Sequence, residues 1–204
     1  WRRARRHALI EQRKALDPND RGRRSAAIDH WLEAGFHPVA GHDVGFCWPF
    51  AAEPDSRFAV RRWRERGSRA ALPVVAEPRT PLEFRQWQPG VPMAKGVYGI
   101  PYPIDADVLA PEVVLVPVNG FDLAGYRLGY GSGYFDRTLA SFERHPVCVG
   151  LGFEISRMET IYPQPHDIPF DFIVTERGIH HRQDSDLVAV EEDIAAELVA
   201  RRLA

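Results

Sequence analysis

The sequence predicts an α/β domain built on a mainly parallel β-sheet with helices over both faces. Short apolar runs near residues 39, 70, 112, 147 and 170 alternate with stretches of good helix formers, the order expected of strands joined by helical crossovers. Residues 113–118 are apolar throughout instead of alternating, as a strand buried on both faces must be. A glycine-rich segment leads from that strand into a helix, and open α/β sheets bind ligands in such loops, at the carboxyl ends of strands.

Taken in order, residues 2–15 and 21–34 read as helices separated by the punctuation Leu16-Asp-Pro-Asn-Asp20, with Gly35 ending the second. The first is basic, carrying Arg2, Arg3, Arg5, Arg6, Arg13 and Lys14, and places Arg2 and Arg6 on one face. A solvated face and an anion-binding face are both open readings there. Residues 39–48 alternate enough for a strand, and the turn-rich run from Trp48 through Glu53 leads to a helix over residues 57–66. At a strand end, aromatic Trp48 beside acidic Glu53 would serve a flat, amine-bearing ring. The competing roles are core packing for Trp48 and helix capping for Glu53. Residues 70–75 form a second buried strand, and Leu82, Phe84 and Trp87 suggest an added antiparallel pair. Residues 97–103 make a proline-fixed aromatic loop. Beyond the glycine-rich segment a helix is expected over 134–142, strands over 146–153 and 170–175, and a proline-fixed loop around His166 and Asp167 between them. Residues 184–204 read as one acidic amphipathic helix, with Leu187, Val190, Ile194 and Leu198 at helical spacing, packed as an extension on an α/β domain of residues 1–183.

Composition narrows the functions. At 204 residues, 45% hydrophobic and 26% charged, the chain can bury a core without staples. A formal charge of −2 provides no broad basic field for nucleic acid. No apolar run approaches the roughly 18 residues of a bilayer span and no signal-peptide core opens the chain, so a cytoplasmic protein with no membrane partner is expected. Cys47 and Cys148 have no metal-ligand spacing and read as reduced, structural thiols. A monomer is expected, with a dimer allowed.

The loop carries the chemistry. Gly125, Gly129, Gly131 and Gly133 let backbone N–H groups approach a ligand, and Arg127 adds a permanently charged fork. A helix starting near Gly133 would aim free N–H groups at the same anion. Asp136, one turn in, then suits Mg²⁺, which takes one or two protein oxygens and the rest from phosphate and water. A plain glycine-rich hairpin is the bland alternative. A dinucleotide fingerprint fits poorly, because the third glycine comes one residue early and the segment lies past mid-chain.

The pattern Pro117-x-x-Gly-Phe121-Asp122-x-x-Gly-Tyr-Arg127-Leu-Gly-Tyr-Gly-x-Gly133-Tyr-Phe-Asp136-Arg-x-Leu139 resembles the signature of the 5-formyltetrahydrofolate cyclo-ligase family, also called methenyltetrahydrofolate synthetases. The resemblance spans residues 2–178. It implies a three-layer αβα sandwich of the NagB/RpiA/CoA transferase-like kind. It also implies closure of 5-formyltetrahydrofolate to 5,10-methenyltetrahydrofolate, with ATP as co-substrate, Mg²⁺ as cofactor, ADP and phosphate as products, and a phosphorylated formyl intermediate. By the same resemblance ATP would meet Arg2, Arg6, Arg127, Gly129, Tyr130, Gly131, Ser132, Gly133, Tyr134 and Asp136, with Mg²⁺ on Asp136. The folate would meet Trp48, Glu53, Tyr98, Tyr134 and Phe135. Catalysis would fall to Arg127, Tyr134 and Asp136, and Asp167 would tie its loop to the site. The chain departs from the family pattern at Arg2 (often Lys), Phe135 (often Tyr), Ser132 (Gly or Lys) and Tyr102 (often Glu). A non-catalytic paralogue that binds nucleotide or folate is the alternative, and a sugar-phosphate isomerase or CoA transferase of similar architecture is disfavoured for want of a catalytic base at the loop.

Overall fold

The computed structural model describes residues 1–96 and 99–204, so the expectation for Tyr98 lies outside the described residues. The chain opens with α1 (Arg2–Lys14) and α2 (Pro18–Gly35), then β1 (Val44–Phe46), α3 (Arg57–Glu65) and β2 (Ala70–Val74). An antiparallel region follows: β3 (Glu83–Trp87), β4 (Met93–Lys95), β5 (Pro101–Pro103) and β6 (Val108–Leu109). Next come β7 (Val113–Pro117), β8 (Gly120–Asp122), β9 (Arg127–Leu128), α4 (Tyr134–Ser141), β10 (Val147–Leu151) and β11 (Arg157–Met158). The chain ends with β12 (Phe172–Thr175), β13 (Gly178–Gln183), β14 (Asp186–Val190) and α5 (Glu192–Leu203).

Among the described residues the main sheet has nine strands in the order β14-β13-β12-β10-β7-β1-β2-β3-β6. Its middle, β12-β10-β7-β1-β2, is parallel, and antiparallel strands flank it on both sides. Alternation along β7 shows why the fold is three-layered. Val113 and Leu115 belong to the core beneath α2, α3 and α5, with Leu32, Trp63 and Val199. Val114 and Val116 belong to the opposite core, with Phe121, Leu139 of α4 and Ile173. A strand that must fill both cores can carry no polar side chain, hence its unbroken apolar run.

Local chemistry sets several boundaries. Asp17 caps α2 by accepting from the N–H groups of Asn19 and Asp20, and Pro18 occupies the first turn, where its missing donor costs nothing. The strand expected over residues 39–48 is corrected to Val44–Phe46, because His37–Val39 forms a 3₁₀ turn around Pro38 and Gly41 reverses the chain at φ +92°. The single C-terminal helix is corrected as well. Residues 186–190 form β14, hydrogen-bonded antiparallel to β13 through a turn in which Asp184 has φ +54°, so the expected boundary at 183/184 cuts a hairpin. Only Glu192–Leu203 is helical, and it buries Ala195, Val199 and Leu203 while Ile194 is exposed. Leu187 and Val190 had matched helical spacing by coincidence. Among the described residues no helix is long and apolar enough to cross a membrane.

Candidate active site

A cavity of about 260 Å³ opens at the carboxyl ends of β1, β2 and β7. Its walls come from the start of α1, the loop after β1, the glycine-rich loop, the first turn of α4 and the loop holding His166 and Asp167. Every site residue expected from the sequence and described in the structure lines it: Arg2, Arg6, Trp48, Glu53, Arg127, Gly129–Gly133 in full, Tyr134, Phe135 and Asp136.

The glycines are placed by need. Gly131 has φ +100°, and a Cβ there would stand 3.2 Å from Nη1 of Arg6, so a bare backbone is what lets the loop pass against that guanidinium. Gly133 takes the left-handed conformation, φ +66°, as the residue before α4. Ser132 lies between them and its carbonyl accepts from Nη2 of Arg137 at 2.7 Å.

The cations differ in what holds them. Arg2 pairs with Asp167 through two bonds of 2.9 and 3.1 Å, and Asp167 also accepts from the Gln164 N–H at 2.6 Å. Burial acts to raise the Asp167 carboxyl, but Arg2 and the Gln164 N–H outweigh it and hold the group below its ordinary range. Asp167 thus ties its loop to α1, whereas His166 beside it is 75% exposed at its side chain. Arg6 has no hydrogen bond or ion pair to another of the described residues, and its Nε is buried without a partner. Burial and then the charge of Arg2 push its pKa down, Asp167 offsetting part of this. A guanidinium in that state gains from an incoming anion.

Arg127 is buried and engaged. Its Nη1 donates to the Ile168 carbonyl at 2.7 Å, its Nη2 to Oδ1 of Asp136 at 2.9 Å, and its guanidinium lies 4.4 Å from the Phe170 ring centre. The open fork expected at this position is therefore a bridge between β9, α4 and the 166–170 loop. Oδ1 of Asp136 also accepts from the Ile168 N–H at 3.2 Å, which leaves Oδ2 without a hydrogen bond among the described residues. One carboxylate oxygen on a cavity wall shared with Arg2, Arg6 and the glycine-rich loop fits the small protein share of a Mg²⁺ shell.

On the opposite wall Trp48 packs on the core, edge-on to Trp87 at 5.8 Å, and also lines the cavity. Arg57 lies 4.9 Å from its ring. Glu53 caps its own turn, not a helix, accepting from the Phe50 N–H at 2.9 Å. It is 7% exposed, and burial raises its pKa despite the hydrogen bond from Tyr130, the charge of Arg13 and the Phe50 N–H. The Tyr130 hydroxyl donates to Oε1 of Glu53 at 2.6 Å, so the tyrosine expected on ATP joins the glycine-rich loop to the wall that carries Trp48 and Glu53.

Two residues of this region were not singled out from the sequence. Cys47 lines the cavity with its thiol pushed well up by burial and by Glu53. Arg13 is buried behind Tyr130. It lay hidden in a basic helix, although a signal existed: Arg6 and Arg13 are seven residues apart and share a helical face with buried Leu9.

Comparison with known proteins agrees with this geometry. The sequence profile of the 5-formyltetrahydrofolate cyclo-ligase family matches residues 1–176. The 5-formyltetrahydrofolate cyclo-ligase of Mycolicibacterium smegmatis is 28% identical over 183 residues, covering 85% of this chain and 93% of the relative. That of Escherichia coli K12 is 26% identical over 175 residues, covering 82% and 96%. Among solved structures, the 5,10-methenyltetrahydrofolate synthetase of Aquifex aeolicus superposes with a TM-score of 0.78 at 24% identity, covering 93% of this chain and 96% of that one. The 5,10-methenyltetrahydrofolate synthetase of Mycoplasma pneumoniae gives 0.70 at 21%, covering 86% and 98%; both likenesses speak to the fold. With its profile matched over residues 1–176, and Gly129, Gly131 and Gly133 of the signature lining a cavity where sheet, loop and basic helix meet, the chain belongs to the 5-formyltetrahydrofolate cyclo-ligase family.

Proposed function

We propose that the chain closes 5-formyltetrahydrofolate to 5,10-methenyltetrahydrofolate with consumption of ATP in the presence of Mg²⁺, in the cytoplasm. In this reading the formyl oxygen attacks the γ-phosphate and ADP leaves. The phosphorylated formyl carbon is then attacked by the neighbouring folate nitrogen, and the ring closes as the C–O bond breaks and phosphate departs with that nitrogen's proton. Reactions of this kind ask mainly for positioning and charge neutralisation.

The observation that carries the reading is Arg6, a half-buried guanidinium with no partner of its own among the described residues, laid against the backbone of Gly131. It would take the triphosphate together with the N–H groups of residues 129–133. Arg2 would add charge while Asp167 holds it in place. Asp136 would offer Oδ2 to Mg²⁺, which when bound neutralises phosphate charge. Once that carboxylate is shared, Arg127, now 2.9 Å from its Oδ1, would have charge to turn toward phosphate. Trp48, Tyr134 and Phe135 would hold the folate ring, with Glu53 accepting from its amine and ring N–H groups.

The test is direct. The protein is mixed with 5-formyltetrahydrofolate, ATP and Mg²⁺, and the methenyl chromophore is followed with time. Appearance that requires all three components supports the proposal. Binding of folate or nucleotide with no chromophore would make the chain a non-catalytic member of its family.

A further inference from the structure

Arg13 is 5% exposed, and its guanidinium meets a different segment at each nitrogen. Nε donates to the Ala51 carbonyl at 3.0 Å, Nη1 to Oδ1 of Asn119 at 2.9 Å, and Nη2 to the Tyr130 hydroxyl at 3.1 Å. Oε1 of Glu53 lies 3.7 Å from that same Nη2 and accepts a hydrogen bond from the Tyr130 hydroxyl at 2.6 Å. The loop thus gripped is one that local preference resists, since Ala51 and Ala52 both have positive φ, 50° and 64°.

A buried arginine is a poor choice for packing alone. Burying a charge is costly unless it is paired, and an apolar side chain of the same volume would fill the space better. What Arg13 adds is a positive charge beside a carboxylate whose ionised form burial disfavours. Among the described residues the groups facing Glu53 are Arg13 from α1, the Tyr130 hydroxyl from the glycine-rich loop, the Cys47 thiol from the end of β1, and the Phe50 N–H from its own turn. Of these only Arg13 carries positive charge.

We infer that Arg13 is a positioning residue for substrate: it locks the Tyr130 hydroxyl and the Glu53 carboxylate into one network, so that α1 sets the folate-facing acid and the phosphate-facing loop in register and lays a positive charge beside that acid. The inference rests on the proposed function for the identity of the substrate, and on geometry alone for the network. Arg13 touches no reacting atom; it acts through Glu53.

The experiment separates the two supports. Protein carrying ¹³C at the glutamate carboxyls is titrated by NMR, with the Glu53 resonance assigned from Glu53→Gln. In Arg13→Met the Glu53 midpoint is expected to rise by about one pH unit or more, because a full charge at this distance in a protein environment is worth at least that much. Arg13→Lys restores most of it. Tyr130→Phe, which removes a single hydroxyl and leaves Arg13 in place, raises the midpoint by less and keeps the test open if Arg13→Met folds poorly. In turnover, the acid limb of kcat/KM for 5-formyltetrahydrofolate moves up with that midpoint, the change falling on KM for the folate more than on kcat, and Arg13→Lys brings it back. An unmoved midpoint in both Arg13→Met and Tyr130→Phe overturns the network. A moved midpoint with an unmoved acid limb overturns the positioning role. A moved midpoint in a protein that shows no cyclisation even as wild type sinks the functional reading and leaves the electrostatic pair standing.

Discussion

Arg6→Met separates a phosphate-binding cation from a structural one, because the two roles predict opposite results in two assays. The substitution keeps most of the aliphatic stem and removes the guanidinium. Among the described residues that guanidinium has no hydrogen bond or ion pair to lose, its Nε is buried unpartnered, and burial together with Arg2 disfavours its charge. Without ligand the variant should therefore melt within about 2 °C of wild type, the shift expected of less than about 1 kcal/mol in a domain of this size. With ATP and Mg²⁺ the balance reverses. A charge-assisted hydrogen bond to phosphate is worth roughly 1.5–3 kcal/mol, so the ATP dissociation constant should rise by about tenfold to about 150-fold. Thermal melting of the ligand-free protein and calorimetric titration with Mg·ATP measure the two quantities on one preparation. A variant that binds ATP as wild type does, or that loses about 2 kcal/mol of stability without ligand, would refute the reasoning, since Arg6 would then be serving the fold.

Further expectations follow from other residues. Asp136→Asn keeps an oxygen for Arg127 and for the Ile168 N–H but lacks the charge Mg²⁺ requires. Turnover should fall by at least about 100-fold with an unchanged circular dichroism spectrum, and near-normal turnover would remove Asp136 from the metal role. Glu53→Gln should raise KM for 5-formyltetrahydrofolate by about tenfold and KM for ATP far less, and steady-state kinetics showing the reverse pattern would exchange the two walls of the cavity. His180 and His181 are held below their ordinary range, in both cases first by burial, and Nε2 of His180 accepts from Nη2 of Arg157 at 2.7 Å. A depressed histidine favours the neutral form in the folded chain, so stability is full above the unfolded value near 6.5 and is lost as pH falls through it toward the folded value. The melting temperature should drop between about pH 7.5 and 5.5, and His180→Gln, which retains an acceptor for Arg157, should drop less.

The sheet was legible because burial on both faces leaves short apolar runs rich in β-branched residues, too short for a buried helix. Val113 to Pro117 shows it most plainly, and Val147–Leu151 and Phe172–Thr175 repeat it. The edges were not. Residues 186–190 face solvent at three of five positions, so they carry neither the unbroken apolar run of a central strand nor a clean alternation, and Leu187 and Val190 are spaced as a helix would space them. What makes them a strand is the ladder to β13, an interaction with a partner that periodicity within the segment cannot register.

The same distinction runs through the site. Which residues converge could be read, because glycine spacing and strand-end loops point to the carboxyl ends of the sheet, and the family resemblance brings the basic helix to the same place. What each charge is bound to could not, since that depends on partners far away in sequence. Arg2, Arg6, Arg13 and Arg127 are one residue type with four different commitments: Arg2 to Asp167, Arg127 to Asp136 and the Ile168 carbonyl, Arg13 to the Tyr130 hydroxyl and Glu53, and Arg6 to no described residue. Counting basic residues would assign all four to phosphate. In the proposed function the partners divide them instead into one cation free to take an anion, two that an arriving anion or metal would recruit, and one sealed behind Tyr130, whose charge would act on the substrate through Tyr130 and Glu53.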